Sequence, residues 1–337
     1  MKIGQAAFLI CAFGALLCGT DGNPAAAQQR TLVLGLPGVP PIFANVNFYV
    51  ADKEGFFKKY GAEVEIKQFD TGTAAARAVV SGDLDFSLSP TALIVSQIAN
   101  ADVPVVAIYG MPNPDWAIGT TDGTKAGCAD MKGQQVGVDT PGGARSIALK
   151  EMLFGCHMTI DDVQQVGLGS NTAAAMIAGQ ISYGVLHLDD VPEIESHGKT
   201  VTIVTTIAKS DPTSHYLVGV ARKDRVAEKH DAYVRFAAAL IAADHFMADA
   251  KNADTVAEIA TITGRSKAIA KGALKRFLDI GFWAIDDDGL AKNKIEALVA
   301  TQEKIGNIKP GRAAPSYDQL VDLSVWRDAD ALYKKLR

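Results

Sequence analysis

The sequence predicts an α/β protein built as two lobes around a ligand cleft, with a group of C-terminal helices packed on the first lobe. Short apolar strand patterns alternate with helical patterns in two successive series, from about residue 31 to residue 207. Small-residue turns separate strand from helix in both series. From about Asp224 onward the patterns are helical almost throughout, so this part of the chain cannot supply a third sheet.

The first series begins with the apolar strand pattern TLVLGLPG, which ends in Gly and Pro. The segment Asn47–Gly61 has helical spacing of its apolar residues and stops at a Lys-Lys pair followed by Gly, which predicts one helix. The order strand–helix–strand predicts a parallel sheet with right-handed crossovers. The remaining elements of this series are the strand AEVEIKQF, the helix TAAARAVVSG, the strand LDFSLS, the helix TALIVSQIAN and the strand VPVVAIYG.

The second series starts after the Gly- and Thr-rich stretch Gly119–Gly127 and repeats the same order of elements. Its elements are the strand GQQVGVDT, the helix ARSIALKEMLFG, the strand DVQQVGL, the helix TAAAMIAGQ and the strands YGVLHL and KTVTIVTTI. We expect the C-terminal helices to seal the first lobe, so that the chain crosses between lobes near Trp116–Thr121 and Tyr216–Ala221. These crossings predict lobe 1 at residues 28–118 plus 222–337, and lobe 2 at residues 119–221.

The first 27 residues have the pattern of a cleaved signal peptide. Lys2 provides a positive start, Ala6–Leu17 is an apolar run, and Ala25–Ala27 fits the small-residue cleavage rule. Twelve residues form a helix of about 18 Å, too short for a membrane core of about 30 Å. We therefore expect cleavage after Ala27 and a periplasmic, membrane-free mature chain. A lipid anchor at Cys18 is the alternative, but Leu17 stands where a small residue would be expected.

The charge and the cysteine content exclude some classes of function and predict a disulfide. The formal net charge of −5 gives no electrostatic case for binding nucleic acid. Cys128 and Cys156 are the only cysteines after the leader, and an oxidising compartment favours a disulfide between them; two buried free thiols are the alternative. Two cysteines without suitably spaced histidines do not predict a metal site, and no cofactor is expected.

Candidate binding residues lie in four turns, each between the carboxyl end of a strand and the amino end of the next helix. Ligands of open α/β sheets bind at this edge, where helix amino ends offer free N–H groups and partial positive charge. Ser, Thr and Asn are also the preferred helix-capping residues, so each turn alone could have only that role. The four turns are Thr71–Thr73, Ser89–Thr91, Thr140–Arg145 and Ser170–Thr172.

Four segments of the sequence resemble the nitrate/sulfonate/taurine and NMT1/THI5-like substrate-binding proteins of ABC transporters. FYVADKEGFFKKYGAEVEI and GTAAARAVVSGDLDFSLSP resemble the amino-terminal signature of this family. MKGQQVGVDTPGGARSIALKEML and AAAMIAGQISYGVLHLDDVP resemble its second-lobe signature. The resemblance extends from about Thr31 to Leu323 and is specific for fold and role, but not for the ligand.

This resemblance implies a type II periplasmic-binding-protein fold that closes on one small molecule and delivers it to a membrane permease. We expect the protein to act as a monomer. In the first lobe, the residues that match the ligand-contacting loops of the family are Phe43, Asn45, Thr71, Gly72, Ser89 and Thr91. In the second lobe they are Gly142, Gly143, Ala144, Arg145 and Asp189.

Arg145 is the sharpest clue to the ligand, because family members often have a small uncharged residue at its position. If it points into the cleft, its planar guanidinium would pair with a carboxylate or sulfonate; otherwise it is a solvated surface residue. If Arg145 points into the cleft, we expect Arg145→Ala to weaken binding at least tenfold without changing the melting of the unliganded protein. Asp189 or Asp190 could hold an N–H group of the ligand or cap a helix. Trp116 and Tyr216 could clamp an apolar ligand body or pack at the crossings.

The hypothesis that follows is an exported solute-binding protein for a small, anionic organic solute, with no enzyme activity. A pyrimidine- or thiamine-precursor heterocycle is the alternative ligand, and a sensory partner in place of a permease is also open. The motifs GxxxxGK[ST], HExxH, CxxC and GxSxG are absent from the sequence. The alternative function is that of an enzyme with the same fold, either THI5-like or from the menaquinone pathway. The export signal argues against this alternative.

Overall fold

The computed structural model of the protein describes residues 31–337. The predicted leader, its cleavage after Ala27 and the alternative anchor at Cys18 lie outside the described residues. None of the helices within the described range has both the length and the apolar character needed to cross a membrane.

The strands form two sheets of five. In chain order they are β1 (Thr31–Pro37), β2 (Glu63–Phe69), β3 (Phe86–Pro90), β4 (Val105–Met111), β5 (Ala117–Thr120), β6 (Gln135–Val138), β7 (Gln164–Gly167), β8 (Tyr183–Leu186), β9 (Thr202–Thr206) and β10 (Leu217–Arg222). The first sheet has the order β2-β1-β3-β10-β4 and the second the order β7-β6-β8-β5-β9. The predicted α/β class with two sheet-based lobes is confirmed.

The helices divide into those that follow strands and those that form the C-terminal group. The first set is α1 (Val46–Lys53), α2 (Phe56–Tyr60), α3 (Gly72–Ser81), α4 (Thr91–Ala101), α5 (Ala144–Gly155), α6 (Thr172–Ile177), α7 (Asp190–Ser196) and α8 (Ile207–Ser210). The second set is α9 (Lys223–Glu228), α10 (His230–Ala248), α11 (Ala253–Ile259), α12 (Lys267–Asp279), α13 (Lys292–Lys304), α14 (Tyr317–Leu320) and α15 (Ser324–Leu336).

Each sheet is mixed rather than purely parallel, because it contains one strand that the alternating pattern did not reveal. β1 runs parallel to β2 and β3, whereas β10 is antiparallel to β3 and β4. In the second sheet β6 is parallel to β7 and β8, whereas β5 is antiparallel to β8 and β9. The segments predicted as crossings are therefore largely these two strands. The buried sequences AIGT and LVGV lack the alternation of a half-exposed strand.

The predicted helix Asn47–Gly61 is interrupted in the structure. α1 ends at Lys53 and α2 begins at Phe56, with Gly55 between them at a φ of 73°. A residue in the left-handed region cannot continue an α-helix, and glycine adopts this conformation without steric cost. The apolar spacing on both sides of Gly55 stays in phase, which is why the sequence pattern reads as one helix.

The C-terminal helices pack on the first sheet and its helices, as the fold prediction required. The long helix α10 lies against α1, α2 and α15, while α13 lies against α4. Phe236 of α10 is the centre of this packing: its ring centroid lies 5.0 Å from that of Phe86 and 6.2 Å from that of Phe48. Burial of these rings in one cluster supplies the apolar area that holds the helical group in place.

Cys128 and Cys156 form the predicted disulfide, with their Cα atoms 5.8 Å apart. Cys128 begins a short 3-10 turn, and Cys156 follows the last residue of α5. The bond joins the two ends of the segment that contains β6 and α5. It therefore constrains the part of the second lobe that carries Thr140–Arg145.

Candidate functional site

Residues at the carboxyl ends of strands from both sheets line a common cavity. Its apolar wall consists of Pro37, Ile42, Leu88, Pro90, Trp116, Ala144, Tyr216 and Leu217. Its polar wall consists of Asp70, Thr71, Asp139, Arg145, Ser170 and His187, and Gly38, Gly72 and Gly169 complete it. We call this space the inner cavity.

A second cavity, the outer cavity, adjoins the inner one. The two share Ile42, Arg145, Ser170 and His187 in their walls. One part of the remaining wall is apolar and comes from Pro40, Pro41, Ala173, Ala174 and Ile177. The other part carries charged and polar side chains, among them Asn171, Asp189, Asp190, Glu193 and Arg265.

The aromatic wall is held by hydrogen bonds as well as by packing. The rings of Trp116 and Tyr216 meet edge to face with centroids 5.2 Å apart. His187 Nδ1 lies 2.9 Å from Asp115 Oδ2 and 2.7 Å from Trp116 Nε1, whose distance to His187 Nε2 is 3.1 Å. Burial raises the pKa of Tyr216 well above its usual value, so its hydroxyl stays protonated.

Arg145 lies inside the wall and not in solvent, since only 6% of its surface is exposed. Its Nη1 donates to the carbonyl of Val185 and lies 3.9 Å from Asp190 Oδ2. Removing this side chain would strip a partner from a buried carbonyl and a buried carboxylate. The expectation that Arg145→Ala leaves the melting of the unliganded protein unchanged therefore no longer holds.

The amino end of α5, which the sequence suggested as an anion site, is already capped by the chain itself. Asp139 Oδ2 accepts from Ala144 N at 2.9 Å, and Asp139 Oδ1 accepts from Arg145 N at 3.1 Å. A carboxylate at this position is stabilised by the helix dipole and occupies the place of a ligand anion.

The two preceding amides of the same turn also have partners in the chain. Gly142 N donates to Ser146 Oγ at 3.0 Å, and Gly143 N donates to Thr140 O at 2.8 Å. The backbone donors of this turn are thus used locally, and neither Gly142 nor Gly143 is part of the inner wall. The turn contributes its side chains, and not its amides, to the cavity.

Four other predicted residues, all in the first lobe, lie behind the wall. Phe43 belongs to an aromatic cluster, with its ring centroid 5.0 Å from that of Phe277. Asn45 Nδ2 donates to Pro37 O at 2.6 Å, and this bond supports the turn after β1. These side chains are buried in the lobe and support the turn that faces the ligand space.

The hydroxyls of Ser89 and Thr91 are likewise used inside the lobe. Ser89 Oγ lies 3.1 Å from Ser87 Oγ. Thr91 Oγ1 lies 2.8 Å from His215 Nδ1 and 3.1 Å from Tyr216 O. Burial lowers the pKa of His215 to about 4, so this ring is neutral and can accept the bond from Thr91. The candidate residues of the sequence analysis that line the inner wall are Thr71, Gly72, Trp116, Ala144, Arg145, Ser170 and Tyr216.

Asp189 and Asp190 line the outer cavity, and both are buried. Asp190 Oδ2 accepts from His187 N at 2.9 Å. Arg265 donates to both carboxylates, with Nη2 2.8 Å from Asp189 Oδ2 and 2.7 Å from Asp190 Oδ1. Burial raises the pKa of Asp189, whereas for Asp190 the effect of burial is outweighed by Arg145 and Arg265, which lower its pKa.

Sequence reasoning missed Asp70, Asp139, His187 and Arg265, all of which line the cavities. Asp70 and Asp139 directly follow β2 and β6, so their position at the carboxyl ends of strands was an available signal. His187 follows β8 in the same way. Arg265 lies far along the chain in the C-terminal helices, and nothing in its local sequence indicates a role in the cleft.

Within residues 31–337, no three or more His, Cys, Asp or Glu side chains are arranged to hold a metal ion. Ser170 presents a different feature, because its buried hydroxyl has no hydrogen-bond partner within this range. A buried hydroxyl usually has a partner, and Ser170 lines both cavities. A ligand atom at this point would satisfy it.

Two mixed α/β sheets whose strand ends face a common cavity, with the chain passing between them twice, define the periplasmic-binding-protein fold. The family model described as NMT1/THI5 like matches residues 43–253, which is more than half of the chain. The chain belongs to this family, as the resemblance of its sequence motifs indicated.

Solved structures with the same fold include binding proteins and an enzyme. The periplasmic nitrate-binding protein NrtA of Synechocystis PCC 6803 has a TM-score of 0.75 at 15% identity, over 90% of this chain and 88% of its own. The periplasmic aliphatic sulphonate binding protein SsuA of Escherichia coli has a TM-score of 0.67 at 14% identity, over 87% and 92%. The desulfurization enzyme DSZB has a TM-score of 0.61 at 15% identity, over 91% and 99%. At these identities the likeness establishes the fold alone.

No curated protein matches the sequence.

Proposed function

We propose that this chain is an exported, periplasmic solute-binding protein of an ABC importer, which captures a small organic molecule between its lobes and presents it to a permease. The observation that carries the proposal is the inner cavity, whose wall comes from both sheets. Membership of the NMT1/THI5-like family and the nitrate- and sulphonate-binding proteins of the same fold support it. DSZB has this fold too, so the absence of enzyme activity stays a prediction.

The mechanism follows from the placement of the wall. We take lobe 1 as residues 28–118 plus 222–337 and lobe 2 as residues 119–221. Thr71 and Leu88 come from the first lobe, and Asp139 and Ser170 from the second. A ligand that contacts both sides binds the closed arrangement better than the open one, so binding shifts the population toward closure. Closure is then the signal that a permease, or a sensory partner, would recognise.

The wall favours a neutral heterocycle of the pyrimidine or thiamine-precursor type over a free carboxylate or sulfonate. Asp70 and Asp139 bring two carboxylates to the inner cavity, against the single guanidinium of Arg145. That guanidinium already bonds to the carbonyl of Val185, and the amides of the Thr140–Arg145 turn have partners in the chain. A heterocycle offers both donors and acceptors, and a flat body that can pack against the aromatic wall.

Thermal unfolding with a ligand panel tests the proposal. We expect amino-substituted pyrimidines to raise Tm, since a ligand at about 100 times Kd adds about 2.7 kcal/mol to stability. For a chain of this size that corresponds to a few degrees. A larger shift with sulfonates or carboxylates would keep the binding role and reverse the ligand class. A well-folded protein that responds to no compound would count against the binding role itself.

Ser170→Ala supplies a sharper readout on the same panel. Its hydroxyl lies in the wall without a partner in the described chain, so its loss leaves the unliganded Tm nearly unchanged and reduces the ligand-induced shift. Thr172→Val is the matched control, because it removes another unpartnered buried hydroxyl that lies outside both cavity walls. Equal ligand shifts in the two variants would remove Ser170 from the site.

A further inference from the structure

An arginine of the C-terminal helices reaches across the cleft to the second lobe. Arg265 lies just before α12, next to Gly264, in the part of the chain that packs on the first lobe. Asp189 and Asp190 lie at the amino end of α7, which follows β8 of the second sheet. The contact therefore joins the two lobes, although its partners are about 75 residues apart in sequence.

The contact is bidentate and enclosed. Arg265 Nε and Nη2 donate to Asp189 Oδ2 at 3.1 and 2.8 Å, and Nη2 donates to Asp190 Oδ1 at 2.7 Å. Nη1 lies 3.7 Å from Glu193 Oε2. The side chain of Arg265 is 14% exposed, and those of Asp189 and Asp190 are 5% and 10% exposed. The guanidinium of Arg265 thus faces three carboxylates of the second lobe, of which Asp189 and Asp190 accept hydrogen bonds from it.

The same group is joined to the wall of the inner cavity. Asp190 Oδ2 lies 3.9 Å from Nη1 of Arg145 and accepts a hydrogen bond from His187 N at 2.9 Å. Arg145 and His187 line both cavities. A movement of Asp190 would therefore change its contacts with Arg145 and His187, which would contact the ligand.

The energetic consequence differs between the closed and open arrangements. When the lobes separate, Arg265 and Asp189 return to water, where neither needs a partner. When the lobes are closed, Asp189 is buried and pairs with Arg265, so removing this cation leaves an uncompensated buried carboxylate. Asp190 keeps Arg145 of its own lobe as a second cation. Loss of Arg265 therefore penalises the closed arrangement, chiefly through Asp189.

We propose that Arg265 is an interlobe latch, whose ion pairs with Asp189 and Asp190 make the closed arrangement accessible before any ligand binds. This inference rests on the two-lobed closure of the proposed function, but it needs no particular ligand. It assigns Arg265 to regulation of the cleft and not to ligand contact.

Small-angle X-ray scattering of the purified, unliganded protein tests the latch. We expect Arg265→Ala to increase the radius of gyration relative to wild type, and Arg265→Lys to give an intermediate value, because lysine keeps the charge and loses the planar fork. Arg276→Ala is the matched control, since it removes an exposed arginine from α12. It should scatter like wild type. Far-UV circular dichroism on each variant confirms that it is folded.

A rescue variant separates a latch from a general structural role. Adding Asp189→Asn to Arg265→Ala removes the buried carboxylate that has lost its cation, while Asp190 keeps Arg145 as a partner, so the radius of gyration should return toward the wild-type value. A folded Arg265→Ala protein as compact as wild type would overturn the proposal, and so would expansion that this asparagine does not reverse. These results are independent of the ligand panel, so a failure of the latch and a failure of the proposed function are distinguishable.

Discussion

Replacing Cys128 and Cys156 with alanine is expected to lower the free energy of unfolding by about 3–4 kcal/mol, because the cross-link restricts a loop of about 28 residues in the unfolded chain. The loop contains β6 and α5, and with them Asp139 and Arg145 of the inner wall. Denaturant unfolding of the oxidised wild type and the double variant measures the difference.

Reductant provides the internal control for this prediction. Dithiothreitol should lower the stability of the wild type to about that of the double variant and leave the variant itself unchanged. If the oxidised and reduced wild-type proteins unfold at the same denaturant concentration, the disulfide does not contribute to stability. A loss confined to the slope of the transition would instead indicate a change in the unfolded state.

Asp244→Ala is expected to be the second severe substitution, with a loss of about 3–4 kcal/mol. Asp244 is fully buried on α10 and joins that helix to the first sheet. Its Oδ2 accepts from Tyr109 Oη at 2.5 Å, and its Oδ1 accepts from Asn47 Nδ2 at 2.9 Å. Alanine leaves a cavity and removes an acceptor from two buried donors. Denaturant unfolding measures the loss, and Asp244→Asn, which keeps the volume, should cost less.

The same carboxyl makes stability depend on pH. Burial raises the pKa of Asp244 to about 7 in the folded protein, against an ordinary value of 3.8. Between these values the folded state holds a proton that the unfolded state has released. The associated stability is therefore fully present below about pH 4 and is lost as pH rises to about 7, by on the order of 4 kcal/mol.

Comparison of unfolding free energies across pH 4 to 8 isolates this contribution. Asp244→Asn cannot lose the proton, so its stability relative to wild type should improve steadily as pH rises through this window. Glu303→Gln, at an exposed position on α13, serves as the surface control and should run parallel to wild type. If the unfolding free energy of Asp244→Asn also runs parallel to that of wild type across this pH range, the buried carboxyl does not titrate as described.

Glu151 should also lower the free energy of unfolding as pH rises toward 7. Burial raises its pKa to about 7, and it accepts hydrogen bonds from Ser214 and Gln302. Because Gln302 lies on α13 and Glu151 on α5, this contact joins the C-terminal helices to the second lobe. The variant Glu151→Gln would separate its share of the pH dependence from that of Asp244.

The sequence predicted the fold well where structure depends on local pattern. Apolar runs, glycine stops and small-residue turns predicted the alternating strands and helices. From about Asp224 onward the sequence predicted helices almost throughout, and the structure has helices α9 to α15 in this part of the chain. It did not reveal β5 and β10, because these interior antiparallel strands are buried and lack the alternation of a half-exposed strand. Gly55 likewise breaks a helix without disturbing the apolar spacing on either side.

The site was less predictable than the fold, because side-chain partners decide it. Sequence alone placed Arg145 and the turns at the carboxyl ends of strands. It could not show that Asp139 caps the helix that Arg145 begins, or that Phe43 packs against Phe277 far along the chain. Arg265 is the clearest case, since its role depends on a contact across about 75 residues of sequence.

The sequence by itself determined the α/β class, the family and the pairing of two cysteines, and it predicted the edge of the sheets at which a ligand would bind. Only the tertiary structure decided which polar groups have partners within the chain and which remain for a ligand or for the opposite lobe. The physical reason is that periodicity and capping act within a few residues along the chain. Burial, charge compensation and cavity shape depend on groups brought together from distant segments, as Asp190, Arg145 and Arg265 are here.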